Sequence, residues 1–227
     1  MSFQTDFRYT DRVSKAEYVW RKYQSLLAGQ AILDVGADEC HLKRHLPAGS
    51  SYWGIGLGGA PDQQVNLERE GIPLPDRAYD VALCLDVLEH IENPHAVFDH
   101  LARVTRRHVI LSLPNALGGL WRALHEGGYR DGQLLKYYGF PPEHPGDRHK
   151  WFLWPEEIEA FVRHRAAQNH LRVLQIDYEP SWQPPPGWRG WRLRRALRQV
   201  FRPGFPLENL FRGPAWIVLE HPASARP

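Results

Sequence analysis

The segment Tyr79–Leu85, YDVALCL, is an almost unbroken apolar run of strand length. A strand with that pattern has no polar face to turn to water, so it has to be covered on both sides. Further short strand patterns recur at residues 31–36, 51–55, 64–67, 108–113, 171–176 and 215–219. Segments with helical spacing lie between them. Residues 11–28 place Val13, Ala16, Trp20, Tyr23 and Leu27 on one face, with Ser14 and Glu17 as a capping box and Gly29 as the stop. Residues 39–46 form a shorter helix closed by Pro47. Asn93 and Pro94 cap and open a helix carrying Val97, Leu101 and Val104. Pro155, Glu156 and Glu157 open another, reaching about residue 169. Strand alternating with helix predicts an α/β fold: a mostly parallel seven-stranded sheet with helices on both faces. The last strand follows a long irregular insertion and is expected to join antiparallel.

Two stretches interrupt the alternation. Residues 115–150 are rich in glycine, proline, histidine and aromatics, and a loop of that length in a compact domain is functional or disordered. A second irregular insertion spans 180–213. The expected organisation is one domain over residues 1–227. It comprises an N-terminal helix (1–29), a ligand-binding core (30–114), a lid-like insertion (115–150), and the C-terminal half of the sheet (151–220). A length of 227 residues suits one such domain and is short for two. With 43% hydrophobic and 24% charged residues, the composition excludes disorder over most of the length. A net charge of +2 provides no global field for nucleic acid. Cys40 and Cys84 make neither a disulfide framework nor a zinc site, which fits reduced thiols in the cytoplasm. Residues 1–10 carry no signal-peptide stretch, and no segment reaches the roughly 18 apolar residues of a membrane span.

In an open α/β sheet, ligands bind beyond the carboxyl ends of the strands, where strand order reverses. Three strand ends here carry glycine or acid: Asp34-Val35-Gly36, Gly54-Ile55-Gly56 and Leu85-Asp86. Glycine lets the backbone approach a ligand, and free amides at the next helix start can bond it. Each end alone reads equally well as an ordinary turn. Their succession along the chain points to a ligand.

Residues 32–46, ILDVGADECHLKRHL, resemble the first motif of class I methyltransferases, which binds S-adenosylmethionine. Residues 72–115 begin IPLPDRAYDVALCLDVLEH and end LSLPN. They are similar to a block of small bacterial methyltransferases grouped with the ubiquinone- and menaquinone-methylating enzymes. The later DRHKWF, residues 147–152, resembles a feature of a subset associated with polysaccharide gene clusters. The resemblance is close over residues 31–115 and loose elsewhere. It implies a Rossmann-like methyltransferase fold with S-adenosylmethionine as cofactor. It also implies that Asp34 and Gly36, with Asp38 in the same loop, shape the turn around the methionine moiety. Asn66 stands where an acid often contacts the adenine amino group, and its amide oxygen can accept that bond. Leu85 and Asp86 would face the cofactor, with Glu89 and His90 on the short helix beyond.

Two departures stand out. Positions 38 and 40 are Asp and Cys where the family loop has glycine. Position 56 is Gly where an acid holds both ribose hydroxyls. The bonds of such a carboxylate contribute about 1.5–3 kcal/mol, or roughly 10- to 150-fold in affinity. Asp62 is close enough in sequence to be a candidate substitute.

His90, Tyr138 and His149 are the candidates for a general base or substrate orienter. The alternatives are a packed His90 and a plain surface loop over 115–150. His41 and His45 have i, i+4 spacing but no partner in a known pattern, so no metal is expected. Residues 188–202, WRGWRLRRALRQVFR, carry six arginines and no acid. On a helix, Leu193, Ala196, Leu197, Val200 and Phe201 share a face. Either this helix lies on an anionic membrane, at its inner face near a lipid-linked sugar, or it packs its aromatics on its own domain and leaves the arginines in water. Nucleic acid is not expected, because the rest of the chain supplies no basic face.

The expected activity is methyl transfer from S-adenosylmethionine to a small-molecule, sugar or lipid-linked acceptor, achieved mainly by positioning. One alternative is a catalytically degenerate binding or scaffold protein, for which Gly56 argues. Another is a nicotinamide-linked oxidoreductase, which needs a G-x-G-x-x-G turn that Gly36-Ala37-Asp38-Glu39-Cys40-His41 does not supply.

Overall fold

A computed structural model describes residues 2–126, 148–181 and 183–222. Seven strands form one sheet in the order β3-β2-β1-β4-β5-β7-β6. They are β1 (Ala31–Val35), β2 (Ser51–Gly56), β3 (Gln63–Gln64), β4 (Tyr79–Leu85), β5 (Thr105–Leu113), β6 (Arg172–Pro180) and β7 (Arg212–Glu220). The first five pair in parallel, whereas β7 runs antiparallel to both β5 and β6. The chain steps outward from β1 through β2 to β3, then returns to lay β4 on the other side of β1. The strand order therefore reverses at β1, as expected for a ligand-binding edge.

The two-residue period of the strands assigns each side chain to a face. Ile32, Val81, Leu83, Ile110, Trp216 and Val218 pack under α1 (Arg12–Leu27). Leu33, Val35, Ala82, Cys84, Val109, Leu111, Ile217 and Leu219 pack on the opposite face against α3 (Pro94–Val104) and α5 (Pro155–Gln168). Both faces are covered, which is why the central strands read as continuous apolar runs. Trp216 is fully buried and meets the rings of Tyr9, Tyr18 and Tyr23.

Local differences from the sequence reading have local causes. The capping box of α1 is Asp11 with Ser14, not Ser14 with Glu17, because the Asp11 carboxylate accepts from Ser14 N at 2.8 Å. Glu17 instead pairs with Arg21 one turn on. Strand β3 is shorter than expected, since the Asn66 side chain caps a one-turn helix, α2 (Leu67–Glu70). The helix expected over 39–46 is a 3₁₀ turn, His41–His45. The irregular stretch after β5 opens with a helix, α4 (Ala116–Glu126). Its Gly118-Gly119 pair disguises it, yet a Cβ at Gly118 would lie 2.6 Å from the Arg212 carbonyl oxygen. The second insertion holds α6 (Trp188–Val200) and a 3₁₀ turn, Leu207–Leu210. Leu193, Leu197 and Phe201 of this region pack with Leu117, Leu207, Leu210 and Phe211. Of the apolar face expected on this helix, Leu193, Leu197 and Phe201 are therefore spent on the protein itself, whereas Ala196 and Val200 remain exposed.

Gly36 joins three strand ends. Its φ is +82, and a Cβ there would lie 2.3 Å from Val87 Cγ2, just beyond β4. Its amide and that of Ala37 both donate to the Ile55 carbonyl of β2, at 2.7 and 3.1 Å. A side chain at this position meets both a left-handed backbone penalty, about 1–2 kcal/mol, and the valine. Gly36→Ala is expected to lower the urea midpoint. Adding Val87→Ala should recover part of the loss, while the pair stays about 1 kcal/mol below Val87→Ala alone. A Gly36→Ala protein as stable as wild type would contradict the close approach.

Candidate cofactor and acceptor site

The loop after β1 is held from beneath and from the side. Asp34 accepts a hydrogen bond from the Tyr52 hydroxyl at 2.7 Å. Burial pushes its carboxyl up to about 6, against the pull of Tyr52 and Lys15. Burial and the neighbouring Asp34 carboxylate likewise push the Tyr52 phenol above its usual range. Beyond Gly36, Asp38 and Cys40 take left-handed φ values of 50 and 52, and Asp86 after β4 takes 54. Among the described residues, five non-glycine positions have positive φ, and three of them lie at these strand ends. Such strain gathers where the surroundings over-determine a site. Asp38 pairs with Arg12 from the first turn of α1, and its carbonyl accepts from Ala60 N at 2.9 Å. The segment after β2 thus lies directly against the β1 loop.

Gly56, the last residue of β2, faces that loop. A Cβ there would meet Ala37 N and the Gly36 α-carbon at 3.5 Å, an ordinary contact, with an ordinary φ. Nothing in the turn demands glycine at this position. Asp62 is engaged elsewhere: one oxygen accepts from Gly54 N at 2.9 Å, the other from Lys43 Nζ at 3.0 Å. The Gly54 bond first, then Lys43, hold its carboxyl below the usual range. Asn66 lies two residues past β3, where its amide oxygen accepts from Glu68 N at 3.1 Å as a helix cap.

At the end of β4, Asp86 accepts from the Ser112 hydroxyl of β5 and from Lys15 Nζ of α1, both at 2.5 Å. Burial opposes its charge, but Lys15 and Ser112, with a smaller contribution from His149, keep its carboxyl below the usual range. Leu85 pairs with Ser112 across the sheet. The first turn of α1 therefore sets one cation on each of two acids at the edge, Arg12 on Asp38 and Lys15 on Asp86.

One residue further along, the 3₁₀ turn Leu88–His90 presents Glu89 and His90. The DRHKWF segment folds back onto it. Lys150 N donates to the Glu89 carbonyl at 2.8 Å, and the Trp151 indole donates to the Ile91 carbonyl at 2.7 Å. The Lys150 ammonium pairs with Glu68 and Glu92. This clamp brings the His149 ring edge-on to His90, with centroids 4.5 Å apart. Glu89 is 1% exposed, and one ligand atom from each of Glu89, His90 and His149 lies within 4.8 Å of the others. Among the described residues it is the one trio of this kind. A carboxylate beside two imidazoles can take and hold a proton, and the same donors can bind a divalent ion. The sequence reading named His90 and His149, with no metal, and left Glu89 without a catalytic role. The signal was present in the LEH triplet, but a buried acid is recognised only once its neighbours are known. Tyr138 and residues 127–147 of the lid-like insertion lie outside the described residues.

The chain matches the family described as "Methyltransferase domain" over residues 12–211. It is 26% identical over 172 residues to a ubiquinone biosynthesis O-methyltransferase of Photobacterium profundum, covering 68% of this chain and 70% of that protein. Two solved structures share the fold. A SAM-dependent methyltransferase from Archaeoglobus fulgidus superposes with a TM-score of 0.57 at 13% identity, covering 94% of this chain and 96% of that one. Magnesium protoporphyrin IX methyltransferase from Synechocystis PCC 6803, with bound SAH, gives 0.51 at 18% identity, covering 95% and 90%. The chain belongs to the methyltransferase domain family, and its enzyme class and cofactor are those of the class I S-adenosylmethionine-dependent methyltransferases.

Proposed function

We propose that this protein methylates a small-molecule, sugar or lipid-linked acceptor held at the carboxyl edge of the sheet, between the β1 loop and the Glu89–His90–His149 trio. The observation that carries this reading is the convergence of β1, β2 and β4 on Gly36, with the trio at the end of the same β4. The edge fits the cofactor in most respects. The bare backbone at Gly36 and Gly56 leaves room for close approach. The acids Asp38 and Asp86 and the cations Arg12 and Lys15 match the ammonium and carboxylate of a methionine moiety. Asp34 supports the loop from below, and Leu85 borders it. In this reading Asn66 and Gly56 would lie on the adenosine side, with no acid at 56 for the ribose. S-adenosylmethionine supplies an already activated methyl group, so the protein's task is positioning and proton removal. His149 takes the acceptor proton, Glu89 orients and compensates the imidazolium, and His90 packs beside them. An absent ribose acid also favours a second reading, a binding protein that has lost turnover.

Two measurements separate these readings. Gly56 tolerates a side chain, so Gly56→Asp should tighten S-adenosylhomocysteine binding by up to about 10- to 150-fold. Unchanged affinity, with weaker binding in Asp62→Ala, would assign the ribose to Asp62 instead. In an assay of S-adenosylhomocysteine release over phenolic, sugar and lipid-linked acceptors, His149→Gln should lower turnover by about 10²- to 10⁴-fold and leave cofactor affinity unchanged. Wild-type turnover in that variant would remove His149 from the reaction. Absence of turnover with every acceptor, despite tight cofactor binding, would favour the binding protein.

A further inference from the structure

Helix α6 buries one stripe and displays another. Gly190 and Leu197 are buried, and Leu193 and Arg194 are partly covered. At 3.6 residues per turn, Trp188, Trp191, Arg192, Arg195 and Arg198 fall within about 120° on the outward side. Trp188 is 64% exposed and Trp191 59%. Those are large indole areas to leave in water, since tryptophan is usually mostly buried. The guanidinium groups of Arg189 and Arg192 stand 5.6 and 5.5 Å from the Trp188 ring, and that of Arg195 stands 5.4 Å from Trp191. Among the described residues, Arg194 is the only α6 arginine with an acidic partner, Glu208 at 2.7 Å.

Placement and charge distribution narrow the partner. Strand β6 ends at Pro180 and β7 begins at Arg212, with Ala215 opposite Leu113 at the carboxyl end of β5. The insertion carrying α6 therefore leaves and re-enters the sheet at the edge that holds Asp86 and the trio. Residues 188–202 carry six arginines and no acid, so the remainder of the chain has an excess of acidic residues. A protein that is positive on one helix and acidic elsewhere meets an anionic plane in one orientation. Interleaved indole and guanidinium groups suit the boundary between lipid headgroups and acyl chains, where indole is favoured and arginine meets phosphate.

We propose that the outward face of α6 docks the protein on an anionic phospholipid surface, through its tryptophans and arginines and not through its leucines. This attachment goes beyond methyl transfer and can hold or fail independently of it. The test is co-sedimentation of the whole protein with phosphatidylcholine vesicles, with and without phosphatidylglycerol. Binding is expected only to the anionic vesicles, at low salt, with release as the Debye length shrinks. The variant Arg192→Gln, Arg195→Gln, Arg198→Gln should lose about fivefold per arginine. Trp188→Ser with Trp191→Ser should weaken binding while keeping its salt dependence. Both variants alter exposed positions, so an unchanged urea midpoint and unchanged S-adenosylhomocysteine affinity confirm that fold and cofactor site are intact. The proposal is overturned if wild type stays in the supernatant with anionic vesicles at low salt. It is equally overturned if the arginine variant binds as well as wild type. Single-stranded RNA that binds this face and displaces the vesicles would identify nucleic acid as the occupant instead.

Discussion

A single bare α-carbon sets the relation of three strand ends. Around Gly36, the carbonyl of Ile55 gathers two successive amides, and Val87 stands where a Cβ would go. The end of β1 thereby approaches the chain after β4 more closely than a Cβ at position 36 would permit, and two backbone hydrogen bonds tie it to the end of β2. The rest of the edge follows from that approach. Beyond it the β1 loop turns through Asp38 and Cys40, both in left-handed backbone. The segment after β2 is then close enough for Ala60 to bond the Asp38 carbonyl. The chain beyond β4 turns at Asp86, also left-handed, and sets Glu89 and His90 on the same rim.

The charges on that rim are organised by α1. Its first turn reaches across the sheet edge with Arg12 and Lys15, so that two acids in the turns after different strands are paired from one helix. Asp34 is treated differently. It receives a hydroxyl instead of a close cation, and burial pushes it up to about 6. The carboxylates of one edge thus sit in unlike environments, a pattern common at functional sites. The fold alone does not name the acceptor; under the proposed reading, that depends on what the trio and the clamped 148–152 segment orient.

Much of this was legible in the sequence, for physical reasons. Strand runs covered on both faces leave few alternatives, so the seven strands, their parallel core and the antiparallel last strand followed from patterning. The three strand ends were marked by Gly36, Gly56 and Asp86 themselves. What escaped depended on contacts distant in sequence. A glycine pair hid α4, because the closeness of Gly118 to Arg212 is visible only after β7 returns. Asp62 reads as a free carboxylate until Gly54 and Lys43 are found to occupy it. Glu89 and His149 are sixty residues apart, and only the docking of Lys150 and Trp151 brings them together. The basic helix was recognised, but periodicity alone does not say which of its faces the protein keeps for itself.

The proposed cofactor edge around Gly36 should be specific for S-adenosyl compounds. Isothermal calorimetry of the wild-type protein with S-adenosylhomocysteine, and separately with NAD, tests it most directly. Saturable binding at one site per chain is expected for the first and no heat for the second. A folded protein that gives no response to millimolar S-adenosylhomocysteine, or that responds equally to NAD, would contradict it.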